Sequence, residues 1–173
     1  MLSRRILLIS AASLAALACP AAALAQAKPP ANDPAALLTA LYAKAAKDNA
    51  GGDFVNAPKS RAKYLSKAFA ALWTKAEAKT PKGDVGPIDF DPVSNSQDPD
   101  IKSFAIKVET QDDSSATLAV ALIGSQPRTK PNDSVIRYDF VRDGAHWRID
   151  DIRGAVDGEP WSIRKLLADS LKS

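Results

Sequence analysis

The sequence predicts an α+β domain, on three observations. Apolar residues recur at helical spacing between Pro34 and Lys79, they alternate with polar residues from Phe104 to Ile149, and helical spacing returns after Pro160. Helices segregated in this way from an antiparallel block of strands define the class.

Asn32-Asp33-Pro34 opens the first helix with a capping side chain and a proline in the first turn, where its missing N–H costs nothing. Leu37, Leu38, Leu41, Tyr42 and Ala45 share one face, and Asn49-Ala50-Gly51-Gly52 ends the helix. A second helix is expected from about Pro58 to Lys79. Its buried stripe reads Leu65, Ala68, Phe69, Leu72 and Ala76, with Tyr64 and Trp73 on the margins. Lys59, Lys63 and Lys67 fall on the opposite side with Glu77, which reads as a solvated face rather than an anion-binding ridge. The stretch from Gly52 to Pro58 has room for one more short helix. From Thr80 to Asp100 the prolines and glycines forbid regular structure.

Four strands follow. Phe104, Ile106 and Val108 point one way, and Leu118, Val120 and Leu122 repeat the pattern past a turn at Asp112-Asp113-Ser114. Asp143-Gly144, read as the two turn residues of a hairpin, sets Phe140 opposite Trp147 and Tyr138 opposite Ile149 on the core side. On the outer side the same register sets Asp139 against Arg148 and Arg137 against Asp150, two cross-strand ion pairs, and places His146 opposite Val141. Ile152 then breaks the alternation, so a bulge is expected near Asp150-Asp151. Pro160 opens a last helix whose apolar face is Ile163, Leu166, Leu167 and Leu171.

Ahead of the domain, Ser3-Arg4-Arg5, the uncharged run from Ile6 and the small residues Ala23-Leu24-Ala25 have the three regions of a secretory signal peptide. The expected organisation is a cleavable signal at 1–25, a tether at 26–31 and one domain at 32–173, located in the periplasm. The arginine pair matches the twin-arginine export motif in part, leaving that route and the general secretory route both open. Cys19 offers a lipoprotein alternative, against which Pro20 stands. Ser10, Ser13 and Pro20 interrupt the apolar run, so a stable membrane anchor is not expected.

Cleavage changes the chemistry on offer. The full chain carries 23 Lys+Arg against 20 Asp+Glu, and losing Arg4 and Arg5 leaves 21 against 20. A nearly neutral domain lacks the positive footprint of a nucleic-acid binder. The single cysteine leaves too, removing disulfide and thiol chemistry. With one histidine and no mature cysteine, soft-ligand metal sites have no donors, and no cofactor is expected.

His146 has no serine or acid placed by sequence to complete a triad. The run from Asp89 to Asp100 concentrates carboxylates and amides at Asp89, Asp91, Asn95, Gln97, Asp98 and Asp100, but it lacks the spacing of a calcium loop and reads as turn chemistry. Asp151 is the one acid beside the core with no assigned pair. The candidate binding residues are therefore Tyr64, Asp89, Asp91, Asp98, Tyr138 and Asp151, with no catalytic residue assigned.

Ile88-Asp89-Phe90-Asp91-Pro92, Gln97-Asp98, Trp147-Arg148-Ile149-Asp150-Asp151-Ile152 and Trp161-Ser162-Ile163-Arg164 resemble a bacterial exported family of uncharacterised function whose members look like nuclear-transport-factor-2-type cone folds. The resemblance implies a curved sheet wrapped around helices, with a cleft between them. In that superfamily such a cleft is an enzyme site in some members and a binding or dimerisation surface in others, so function does not follow from it. An isomerase-like set would be sought among Tyr42, Tyr64, Tyr138 and Asp91, though none of them aligns to a known catalytic position. The expected function is binding, of a small molecule or a periplasmic protein, on the concave side of the sheet, with a homodimer open. A pocket hydrolase or isomerase, and an inhibitor or immunity-type protein, are the alternatives.

Overall fold

Pro34 begins α1 (Pro34–Asp48), and the Asp33 carboxylate accepts the Ala36 N–H at 3.2 Å, as a helix cap does. The computed structural model describes residues 33–48 and 52–172. The expected signal peptide and tether lie outside the described residues.

The chain between α1 and the irregular segment departs from expectation. The short helix for which Gly52 to Pro58 has room is present as α2 (Asp53–Asn56), and the single helix expected from Pro58 to Lys79 is two, α3 (Pro58–Tyr64) and α4 (Lys67–Lys79). The break falls at Leu65-Ser66, whose backbone is extended because Leu65 bridges Ile149 and the Ser66 N–H donates to the Ile149 carbonyl at 2.7 Å. Ser66 then caps α4 by accepting the Phe69 N–H. Restarting the helix resets its faces: Ala68 is exposed and Trp73 is buried, the reverse of the expected stripe. It also divides Lys59 and Lys63, on α3, from Lys67, on α4. Arg61 is 3 % exposed and forks onto Glu77 at 2.7 and 2.6 Å, stacked over Trp73, which ties α3 to α4.

The sheet has five antiparallel strands in sequential order: β1 (Ser103–Gln111), β2 (Ser115–Ile123), β3 (Val135–Asp143), β4 (His146–Val156) and β5 (Glu159–Ser162). The fifth strand was not expected. Asp157 and Gly158 both have positive φ, 54° and 85°, the pattern of a type I′ turn, so the chain doubles back instead of entering a helix at Pro160. Pro160 is tolerated there because β5 is an edge strand. Helix α5 (Ile163–Ser170) starts three residues later, capped by Ser162.

The β3–β4 register is displaced from the expected one by two residues next to the turn and by three beyond the bulge. Phe140 pairs with Ile149, Tyr138 with Ile152, Asp139 with Asp151, Arg137 with Arg153 and His146 with Asp143. The turn residues are Gly144 and Ala145, with positive φ at the glycine alone, so glycine takes the first central position of a type II′ turn and Asp143 stays in the strand. The two expected ion pairs are therefore replaced: Arg137 reaches Glu109, and Asp139 is forked by Arg153. The slip is two residues between the turn and the bulge, and the bulge takes up the extra residue beyond it, so the core side chains keep their face. The bulge expected at Asp150 is present.

One core runs through all of these elements. Leu38 and Tyr42 of α1, Phe69 and Trp73 of α4, and Ile163 and Leu167 of α5 pack against Leu118, Val120, Ile136, Tyr138, Phe140, Ile149 and Ile152 of the sheet. Phe104 and Ile106 reach it partly; Val108, expected to join them, is 44 % exposed on the edge strand.

Candidate functional site

The acid of greatest sequence interest, Asp91, spends its carboxylate on backbone. One oxygen accepts the N–H groups of Gly52, at 2.9 Å, and Val93, at 3.2 Å; the other accepts the Ser94 N–H and hydroxyl. A bridge between Asp91 and Ser96 closes the turn. Gly52 has to be glycine, since a Cβ there would meet Asp91 Oδ1 at 2.5 Å. Asp91 thus holds the irregular segment against the start of α2, with every lone pair facing a donor.

Tyr138 and Tyr42 lie side by side inside the core, both fully buried, with their hydroxyl oxygens 2.9 Å apart. The Tyr42 oxygen is also 2.9 Å from the Val93 carbonyl, which can only accept. A hydroxyl has one hydrogen, so Tyr42 gives its own to Val93 and receives that of Tyr138. Burial raises both phenols well above their ordinary range, and the Asp91 charge adds to this. Two phenols held neutral in a dry core serve neither as base nor as nucleophile near neutral pH.

Asp151 is equally committed. Its carboxylate accepts the Ser162 hydroxyl at 2.6 Å, the Ile152 N–H at 2.8 Å and the Arg164 N–H at 3.0 Å, tying β4 to the first turn of α5. The neighbouring Asp150 accepts from Ser66 and pairs with Arg164, joining the α4 cap to the same place. Neither aspartate presents a free oxygen to a cleft.

Asn95 was not singled out by sequence, and it is the most connected amide in the fold. With φ of 53° and 5 % exposure, it donates to the carbonyls of Asp133 and Ala155 and accepts the Trp161 indole N–H at 3.0 Å. Arg128 grips the same turn through the carbonyls of Ser94 and Asn95. Buried Asp133 accepts the N–H groups of Asp157 and Gly158, holding the β4–β5 turn. The left-handed backbone gave a weak local signal for asparagine, but its partners lie 38 to 66 residues away, beyond any reading of neighbours.

Of the candidates, Asp91 and Tyr138 are brought together through Val93 and Tyr42, and Asp151 stands apart from them. Asp89 and Asp98 are exposed; Asp98 edges an open cleft of about 270 Å³ with Ser96, Gln126 and Arg128. Among the described residues no group of three or more His, Asp or Glu is arranged to hold a metal ion.

Tyr64 is the candidate that borders two clefts. It ends α3, its ring meets Phe54 edge-on, and the Lys63 ammonium sits 4.8 Å above it. On one side lies a cleft of about 100 Å³ lined by Leu41, Lys44, Ala45, Asp53, Phe54 and Ser60. On the other lies one of about 130 Å³ lined by Asp33, Leu37, Lys63, His146, Trp147 and Arg148. His146, the only histidine, is exposed at the hairpin end of this second cleft. Arg148 is fixed by donating to the Lys63 carbonyl, and Arg142 covers the Trp147 ring at 4.7 Å.

The fold is that of an α+β domain in which Asp91, Asp151, Tyr42, Tyr138 and Asn95 are tied into the structure and Tyr64 and Asp98 border clefts. Compared with protein-family models, with curated proteins and with solved structures, the chain matches none.

Proposed function

We propose that this protein is an exported, non-enzymatic binding domain that acts in the periplasm through the surface around Tyr64. The observation that carries this reading is the fate of the candidate acids and tyrosines. Asp91 and Asp151 are taken up by backbone N–H and serine hydroxyl donors, and Tyr42 and Tyr138 are sealed and neutral, so none of these four offers a free acid or base to a cleft. The inner side of the sheet, where the ligand was expected, is filled by the side chains of α1, α4 and α5. Binding then falls to the outer clefts. The helix set followed by an antiparallel meander also supports the cone-type architecture that the resemblance implies, with five strands in place of four. Among the described residues no helix is long and apolar enough to cross a membrane.

The test is native mass spectrometry of the full chain, expressed with its own export signal and recovered without denaturation. A co-purifying mass should be present on the natural protein and absent from Tyr64→Ala. Turnover of any member of a hydrolase and isomerase substrate panel, lost in a folded Asp91→Asn or Asp151→Asn variant, would overturn the reading.

A further inference from the structure

The two clefts beside Tyr64 differ in chemistry and share one wall. We propose that together they form a groove for an extended acidic peptide segment of a partner protein, seating an apolar side chain in one cleft and a carboxylate in the other. This rests on the binding-domain reading above and gives it a ligand class.

Size is the first argument. Pockets that enclose a small molecule run from about 300 to 1,000 Å³. Clefts of about 100 and 130 Å³ each accommodate roughly one side chain, and two of them flanking a single ring suit neighbouring side chains of an extended chain. The first has an apolar floor of Leu41, Ala45 and Phe54, and its charged rim is internally balanced, with Lys44 and Asp53 3.9 Å apart.

Charge is the second. Arg61, Arg137, Arg153 and Arg164 each face a carboxylate of their own. Around the second cleft the pattern fails. Arg148 donates to the Lys63 carbonyl and Lys63 sits over the Tyr64 ring, while Arg142, just outside the lining, meets the Ala145 carbonyl and the Trp147 ring; none of the three faces a carboxylate among the described residues. The Asp33 carboxylate, the one acid in the lining, is turned to the Ala36 N–H. A groove with cations lacking acidic partners is complementary to an incoming carboxylate.

The same surface is unsuited to other polyanions. Trp147 is 7 % exposed and already covered by Arg142, and Lys63 sits over the Tyr64 ring, so the run of open aromatic faces that a single strand stacks on is not present in this lining. The large apolar side chains that are exposed, Val85, Val108, Ile123 and Val156, lie outside this lining, so nothing here would insert into a lipid surface.

The experiment is selection of random octapeptides displayed on phage against the intact exported protein, followed by titration of the selected peptides in solution. Enriched sequences should place Asp or Glu close to an apolar residue, and binding should weaken about tenfold in Arg148→Glu and in Tyr64→Ala. It should also weaken as salt rises. Arg148→Glu should shift selection toward Lys- and Arg-bearing peptides, which a purely structural role for Arg148 would not do. Arg148→Gln, which retains a donor for the Lys63 carbonyl, guards against a folding defect and should lose affinity without reversing preference. Inorganic phosphate and vesicles of anionic phospholipid, titrated in parallel, should show no saturable binding that Arg148→Glu abolishes. No acidic enrichment, unchanged selection by Arg148→Glu, or tight vesicle or phosphate binding at these residues would overturn the groove. Selection of peptides that bind another face would overturn the groove and the placing of the site at Tyr64 while leaving a non-enzymatic binding domain, whereas substrate turnover is what removes the binding-domain reading.

Discussion

The hydroxyl of Tyr138 donates to that of Tyr42 across 2.9 Å, and Tyr42 passes its own hydrogen to the Val93 carbonyl. The chain of bonds has a direction, so its two phenols are not equivalent. Tyr138→Phe leaves Tyr42 still donating and loses one bond, at about 1 kcal/mol. Tyr42→Phe strands both the Tyr138 hydroxyl and the Val93 carbonyl in the core and should cost about 3 kcal/mol. The double variant removes the stranded hydroxyl and should be more stable than Tyr42→Phe alone. Urea unfolding of the three variants checks the order; equal losses in the two single variants would reverse the assignment of donors.

Asn95 joins three distant parts of the chain from a left-handed backbone. Asn95→Ala should cost about 3 kcal/mol, from orphaned buried partners and from a positive φ that alanine resists. Asn95→Gly loses the same bonds without the backbone strain and should be about 1 kcal/mol less harmful. Chemical denaturation with both variants reads the difference, and a loss confined to the exposed turn would show as an unchanged midpoint.

Acid should act on the turns first. The Ser114 N–H, followed by that of Ser115 and by their hydroxyls, holds the Asp112 carboxyl well below its ordinary 3.8, while Lys165 and Lys172 hold Asp169 down to about 2. A carboxyl depressed in the folded state contributes stability above its unfolded value and loses it as pH falls toward the folded one. Stability should therefore decline as pH drops from about 4 toward 2, with Asp112→Asn flattening part of that decline. Carboxyl-detected NMR titration checks the cause; an Asp112 midpoint at the ordinary value would contradict it.

What was legible in the sequence follows from the range of the forces involved. The α1 cap, the strand faces and the bulge at Asp150 depend on residues a few positions apart, and they are present as expected. The Asp157-Gly158 turn carried as clear a local signal as Asp143-Gly144, but Pro160 has a role in both a helix start and an edge strand, and the helical one was preferred. The break at Leu65-Ser66 had no local signal, because its cause is Ile149, far along the chain. The candidate site divides in the same way. Carboxylates and tyrosines could be named from composition, while their commitment to distant backbone, such as Asp91 to Gly52 39 residues away, exists only in three dimensions. For Tyr64 the sequence offers only a tyrosine that could stand beside an acid, while the two clefts it borders exist only in the folded chain.

The central claim separates residues that build the fold from residues that meet a partner, and one paired comparison tests it. Melting temperature and affinity for a selected acidic peptide should be measured for Asp151→Ala and Arg148→Glu side by side. Asp151→Ala removes the acceptor for the first turn of α5 and should lower the melting temperature by about 5 °C with affinity unchanged. Arg148→Glu should do the reverse, weakening binding about tenfold at nearly unchanged melting temperature. An Asp151→Ala protein that melts normally but no longer binds, or that loses a catalysed reaction, would contradict the account.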